Sequence, residues 1–314
     1  MSNPKYMRKM AILVAIETIV GNIVVPVAAN AIEVSDVTLT PIEGDEVDQG
    51  VIKPFFGASE TTLVTEYRKV AFSVGFAGVA AVGDLPGWAT LMRACGASVT
   101  NTPAPSAQAG TVFAPVTDGI ESVTVYAVID RSLYKMAGAR GNCKADAQAK
   151  QIPKWQYEFT GSFLPVEDLA SMPAVIYTAF QRPLGVNKAN TTLQFAGISV
   201  AASAFQFDFG SQVVKQDLMN VDTTEITGRT STGSVTFRNT TVAEKNWIEL
   251  ARKSEKVPLL LKHGQAETNT VSIAVPRAQV GKPTFADQDG IQMITVPFRC
   301  IPSSVGNDEW SITT

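Results

Sequence analysis

The chain has 314 residues, of which 45% are hydrophobic and 18% charged, and its formal net charge is −3. That length suits about two domains, the apolar share excludes a disordered chain, and the mild acidity excludes a protein that grips phosphates with a basic surface. A chain this poor in charge is expected to hide much of its surface in an assembly.

Lys5, Arg8 and Lys9 precede the apolar run Ala11–Ile16, and Ala28-Ala29-Asn30-Ala31 has the small residues of a cleavage site, as in a secretory leader. Glu17, Asn22 and Pro26 break that pattern, and the apolar run falls short of the roughly seven to fifteen residues of a leader core. Residues 1–32 are therefore read as an N-terminal arm. No segment reaches the roughly eighteen uninterrupted apolar residues of a membrane span.

Residues 33–41 alternate loosely and predict a strand. Glu43 to Gly50 is acidic and Gly-containing, which predicts a loop. Thr61–Phe76 is rich in β-branched and aromatic residues and reads as strand. Leu85-Pro86-Gly87 stops it, and Trp88–Cys95 follows as a helix with Trp88, Leu91, Met92 and Cys95 at helical spacing. Residues 101–119 and 137–151 read as loops from their small and polar residues. Val123–Ile129 and Trp155–Phe163 read as strands, the second with Trp155, Tyr157 and Phe159 on one face.

Residues 167–190 contain Pro173 and Pro183 and show no sustained period, as expected of a connection. Phe205-x-Phe207-x-Phe209 has a period of two. Ser231–Asn239 predicts a strand and Val242–Ser254 a helix that turns Trp247, Leu250 and Ala251 inward. Val271, Ile273 and Val275 alternate with smaller residues, Asp289-Gly290 marks a turn, and Ile294, Val296 and Phe298 form the last predicted strand.

One pattern occurs twice. Val70-x-Phe72 followed by Trp88-x-x-Leu91-x-Arg93 returns as Val235-x-Phe237 followed by Trp247-x-x-Leu250-x-Arg252. The expected fold is β-rich α+β, with two similar β-sandwich or open-barrel modules, each carrying a flanking helix. The first module spans 33–168 with inserted loops. Residues 169–194 connect it to the second module and C-terminal tail, 195–314. Trp88, Leu91, Trp247 and Leu250 are the expected core anchors.

Chemistry is sparse. A Ser-His-Asp or Cys-His enzyme would have to use the single histidine, His263, which beside Gly264 reads as a turn residue. Cys95, Cys143 and Cys300 are scattered without a CxxC pair and are expected as buried, reduced thiols. The acidic loop lacks calcium-loop spacing, and no phosphate-cradling motif occurs. No enzymatic activity, cofactor or metal is expected.

The residues also carry a resemblance. Glu17-Thr18-x-x-Gly21, Pro26, Asn30-Ala31 and Val37-x-Leu39-x-Pro41, then Gly83-Asp84-Leu85-Pro86-Gly87-Trp88 leading into Leu91-Met92-Arg93-Ala94-Cys95-Gly96, are similar to the major tail (tail tube) proteins of long-tailed, non-contractile bacteriophages. The resemblance is best over residues 17–97. The helix around Trp247 departs from it, lacking the Pro-Gly lead-in and the Cys-Gly ending.

The resemblance implies a sandwich or open barrel with one flanking helix. Subunits would join strands edge to edge in a ring, and stacked rings would form the tube for DNA ejection. A long loop and the N-terminal arm would bridge successive rings. With two modules per chain, a trimer gives a pseudo-hexameric ring; a single module per chain would need a hexamer. Partners would be further copies, a tape-measure protein, and tail terminator and distal tail proteins, with DNA as passing cargo and no membrane insertion. The protein would reside in the virion after synthesis in the bacterial host cytoplasm.

Paired edges would also remove the aggregation hazard of long strands. A lumen must not bind phosphate, so an acidic or neutral wall is expected; Asp208, on the face opposite the Phe205, Phe207 and Phe209 rings, is the candidate lumen acid. Asp45, Glu46, Asp48, Phe55 and Phe56 form the candidate inter-subunit loop, because loop aromatics often carry interface energy. The rival expectations are a secreted or periplasmic β-sandwich adhesin or pilus-like subunit, and a β-rich hydrolase using Glu43, Asp45 and Asp48.

Overall fold

The computed structural model describes residues 4–106, 109–265 and 268–314, so the start of the expected arm and part of the expected 101–119 loop lie outside the described residues. Period-two runs dominate the rest and fold as strands. The first half of the chain contributes β1 (Met10–Ile16), β2 (Ala31–Ile32), β3 (Ser35–Glu43), β4 (Glu46–Asp48), β5 (Thr61–Leu63), β6 (Tyr67–Gly75), helix α1 (Ala89–Ala94), β7 (Ala97–Thr102), β8 (Gly110–Pro115), β9 (Val123–Ile129), β10 (Ser132–Gln148), β11 (Lys154–Phe163) and β12 (Glu167–Asp168). The second contributes β13 (Thr191–Phe195), β14 (Ile198–Ser199), β15 (Ala202–Asp208), β16 (Ser211–Leu218), β17 (Val221–Arg229), β18 (Thr232–Arg238), helix α2 (Trp247–Arg252), β19 (Lys256–His263), β20 (Val271–Val280), β21 (Thr284–Gln288), β22 (Ile291–Cys300) and β23 (Ser311–Thr313).

The longest run of ladders orders the strands β3–β6–β11–β10–β15–β18–β22–β21, each pair antiparallel. It crosses from the first half of the chain to the second where the end of β10 pairs with β15, Lys144 opposite Asp208 and Asp146 opposite Gln206. Among the described residues, β3 and β21 each have one partner and are the free ends of this run. A second layer runs β7–β8–β23–β20–β19–β13. There too the halves interlock, since β23 at the end of the chain pairs with β8 of the first half.

The layers pack as a sandwich around one apolar core that draws on both halves. Alternation fixes which side chains meet there. Trp155, Tyr157 and Phe159 of β11 point inward and are buried, as are Phe205 and Phe207 of β15 and Ile294, Val296 and Phe298 of β22. Trp88 packs on Phe113 at 5.0 Å and on Trp155 at 5.5 Å between ring centroids. Trp247 packs on Phe195 and Phe237, each at 4.9 Å. Burying one such ring removes about 150–250 Å² from water, about 5 kcal/mol at ~25 cal/mol per Å². Leu91 is buried, whereas Leu250 is only half-buried at the edge of this core.

The structure corrects several expectations. Met10–Ile16 is not a free arm. It pairs along its length with β9, and Ile12, Leu13 and Val14 are buried. The expected loop 137–151 is largely the long strand β10. Its small residues reflect what they pack beneath: a Cβ on Gly141 would lie 2.7 Å from the Phe159 ring, and Ala145 and Cys143 sit opposite Trp155 and Tyr157. The expected 101–119 loop contributes to the hairpin β7–β8. Helix α2 starts later than Val242 because the Asn246 side chain caps the Glu249 amide at 3.0 Å. The final strand is β23, not β22.

The two arginines of the repeated pattern also part company. Arg93 clamps Glu121 with two bonds of 2.5 Å, whereas Arg252 holds Glu249 on its own helix.

Candidate functional site

His263 lies in strand β19 rather than in a turn. Among the described residues, the hydrogen-bond partners of its ring are Thr191, whose Oγ1 shares a bond of 2.8 Å with Nδ1, and the Leu184 carbonyl, which Nε2 faces at 3.2 Å. Burial pulls its imidazole below the ordinary range, favouring the neutral form. All three cysteines are buried; burial raises the thiols of Cys95 and Cys143 well above their usual range and pushes Cys300 up to about 12. Among the described residues, no group of three or more His, Cys, Asp or Glu is placed to hold a metal. A cleft of about 680 Å³ beside β15 is lined by Val186, Leu193, Val200, Phe205 and Leu261, and Lys188 is its one ionisable lining residue.

The built features lie elsewhere, at the joint between the halves and at two hairpins. The hairpin β16–β17 leaves the sheet between β15 and β18 and lies against the ends of β10 and β11. Arg140 on β10 donates from Nη1 to the Thr224 carbonyl at 2.5 Å and ion-pairs with Glu225; its Nη2 donates to the Ile120 carbonyl at 2.9 Å. Asn142 accepts from the Ser211 amide at 3.0 Å. Lys215 donates to Ser162 Oγ at 2.9 Å and pairs with Asp222, and burial pulls its ammonium below the ordinary range. Thr224 is fully buried, so the hairpin is an integral part of the packing.

The other hairpin, β4–β5, leaves the sheet between β3 and β6 and, among the described residues, pairs with no further strand. Asp45, Glu46 and Asp48 are exposed, and Ile52, Phe55 and Phe56 at its end are 96%, 67% and 108% exposed. These three large apolar side chains are left in water on one segment rather than packed into a local core. The two hairpins share one piece of backbone at their roots. A Cβ on Gly44 would lie 1.8 Å from the Thr65 carbonyl oxygen, and one on Gly210 would lie 1.9 Å from that of Thr230. In the sequence Gly44 reads only as part of the acidic loop, and Gly210, just after the Phe205–Phe209 run, is not singled out.

Asp208 projects from the polar face of β15, opposite the phenyl rings, as alternation requires. Its charge is not free: Lys144 lies 3.2 Å away, and Asn142 donates to it at 2.7 Å. Together with Asp146, Gln156, Gln206, Thr232 and Ser234 it lines a shallow groove of about 460 Å³ along the joint. That face of the sheet is polar and carries mixed charge. The expected sites thus separate: Asp208 is at the joint, Asp45 to Phe56 are on the free hairpin, and the two tryptophans are in the core.

No protein-family model matches this sequence, and no curated protein is significantly similar to it.

Proposed function

We propose that this chain is a non-enzymatic virion subunit that polymerises into stacked rings, forming the tail tube of a long-tailed bacteriophage. The single observation that carries the reading is the joint between the halves, where β10 passes the sheet directly to β15. In both halves a long strand (β3, β15) is followed by a hairpin, a second long strand (β6, β18), a helix and a pair of strands (β7 and β8, β19 and β20); β9 and β10 in the first half, and β21 in the second, then precede the strand (β11, β22) that returns beside the second long strand. Registers agree as well. Val70 faces Phe159 and Phe72 faces Tyr157; Val235 faces Val296 and Phe237 faces Ile294. The Gly44–Thr65 and Gly210–Thr230 approaches repeat at the hairpin roots.

If the halves are modules, the joint inside the chain is one contact of a ring, and the free ends of the sheet supply the next. β21 occupies the place of β10, and β3 that of β15. The pair Asp146–Gln206 then becomes Gln288 of one copy opposite Thr40 of another. Such a heterologous contact makes a closed ring when its rotation closes and a filament when it does not. Closure satisfies both exposed edges, and three chains supply six modules. The polar face of the sheet would line the channel. Its ion-paired, mixed charge suits DNA that must slide, because phosphate binding draws on unpaired cations.

Electron microscopy of the purified chain at high concentration tests this. The reading expects rings with six repeating units around an open channel, stacking into tubes. A sample that sediments as single chains at every concentration would contradict it. Cleavage near Ala31, on the adhesin alternative, would remove a strand whose Ile12, Leu13 and Val14 lie in the core, which favours the tube reading.

A further inference from the structure

We infer that the free hairpin β4–β5 docks sideways, on the β21–β22 end of the neighbouring copy in the same ring, and that Glu60 and Lys282 form the ion pair that holds it. This rests on the proposed ring, and it departs from the expectation that this loop bridges successive rings.

The two hairpins occupy equivalent positions along the proposed ring. The hairpin β16–β17 follows β15 and lies on β10 and β11, the strands beside β15 at the joint. The hairpin β4–β5 follows β3, and the strands that would lie beside β3 at the joint between copies are β21 and β22. Arg140 grips the hairpin within the chain, and its position has a definite counterpart. Arg140 faces Thr160, the residue after Phe159; the residue after Val296 is Pro297. The β21–β22 ladder ends at the pair Thr284–Thr295, and Gly281 donates to the Pro297 carbonyl at 2.8 Å, which places Lys282 at the register shift next to Pro297. A cation therefore recurs at that place.

The carboxylate recurs too. Glu225 stands five residues before Thr230 at the hairpin root, and Glu60 stands five residues before Thr65. Within the chain Glu225 is paired with Arg140. Glu60 and Lys282 are both exposed, and neither forms an ion pair among the described residues. The apolar content agrees: Ile52, Phe55 and Phe56 on the hairpin, and Phe285 and Ile291 on β21 and β22, are all exposed large hydrophobic residues. A second copy of this chain is the one occupant that presents both halves of this match.

The test is a charge swap read by sedimentation velocity and electron microscopy. E60K and K282E each place like charges together and should raise the concentration needed for half-assembly about tenfold, on the scale of a close charge pair turned repulsive. The double variant E60K/K282E should restore assembly to near the wild-type concentration. Single variants that assemble like wild type, or a double variant no better than the worse single one, would overturn the hairpin placement while leaving the ring intact. Wild-type protein that never assembles would instead overturn the ring.

Discussion

Glu17 sits where three segments of the chain meet. Its carboxylate accepts from the Gly21 and Gly138 amides, each at 2.8 Å, from Ser122 Oγ at 2.7 Å and from Thr124 Oγ1 at 2.8 Å. The side chain is buried and ties the end of β1 to β9 and to the bulge in β10. In the sequence it reads only as an acid that interrupts an apolar run, because its donors come from residues more than a hundred positions away as well as from its own turn. Glu17→Ala would leave these donors unpaired in a dry site, which costs about 3–5 kcal/mol. A chemical-denaturation midpoint that does not move in that variant would contradict the assignment. The large inward side chains were easier to read. Phe205, Phe207, Trp88 and Trp247 announce themselves by spacing, and an aromatic on an apolar face has few other places to go.

Elements were legible where large side chains alternate and illegible where small ones do. β11 and β22 could be read from their aromatic and β-branched residues. β10 could not, since Gly141, Ala145 and Cys143 are small to make room for the rings of its partner strand, a reason that lies in another part of the chain. The free hairpin was visible as an acidic, aromatic segment, but the close backbone approach at its root, like that at the root of β16–β17, was not, because it is set by residues about twenty positions apart.

That root makes a contrast between the two glycines. Gly210 has φ +66, in the left-handed region, and serves a docked hairpin. Gly210→Ala should destabilise the single chain by at least about 2 kcal/mol through backbone strain and the clash with Thr230. Gly44→Ala meets the same clash on a hairpin that touches little else. It should leave the melting temperature within a few degrees of wild type yet impair assembly. Thermal melts and sedimentation of both variants check this, and equal loss of stability in the two would contradict it.

For the whole molecule, the strand-rich class follows from composition and run length, and the described residues contain no helix long and apolar enough to cross a membrane. Pairing order does not follow, since each ladder here is set by contacts far apart in sequence. Neither the threading of β23 into the first half nor the passage of β10 into β15 left a local trace. Yet that passage governs the proposed function, because, if the halves are modules, a sheet that joins them inside one chain already contains the contact a ring would repeat.

The most direct measurement is a disulfide trap at that repeated contact, using Thr40→Cys with Gln288→Cys in one chain. Burial keeps the native thiols from competing. Under mild oxidation of assembled protein, the account predicts non-reduced species of two and three chains, the three-chain species closed and no longer ladder beyond it. Single-chain species alone from a sample that is visibly assembled, or a ladder continuing past three chains, would contradict it.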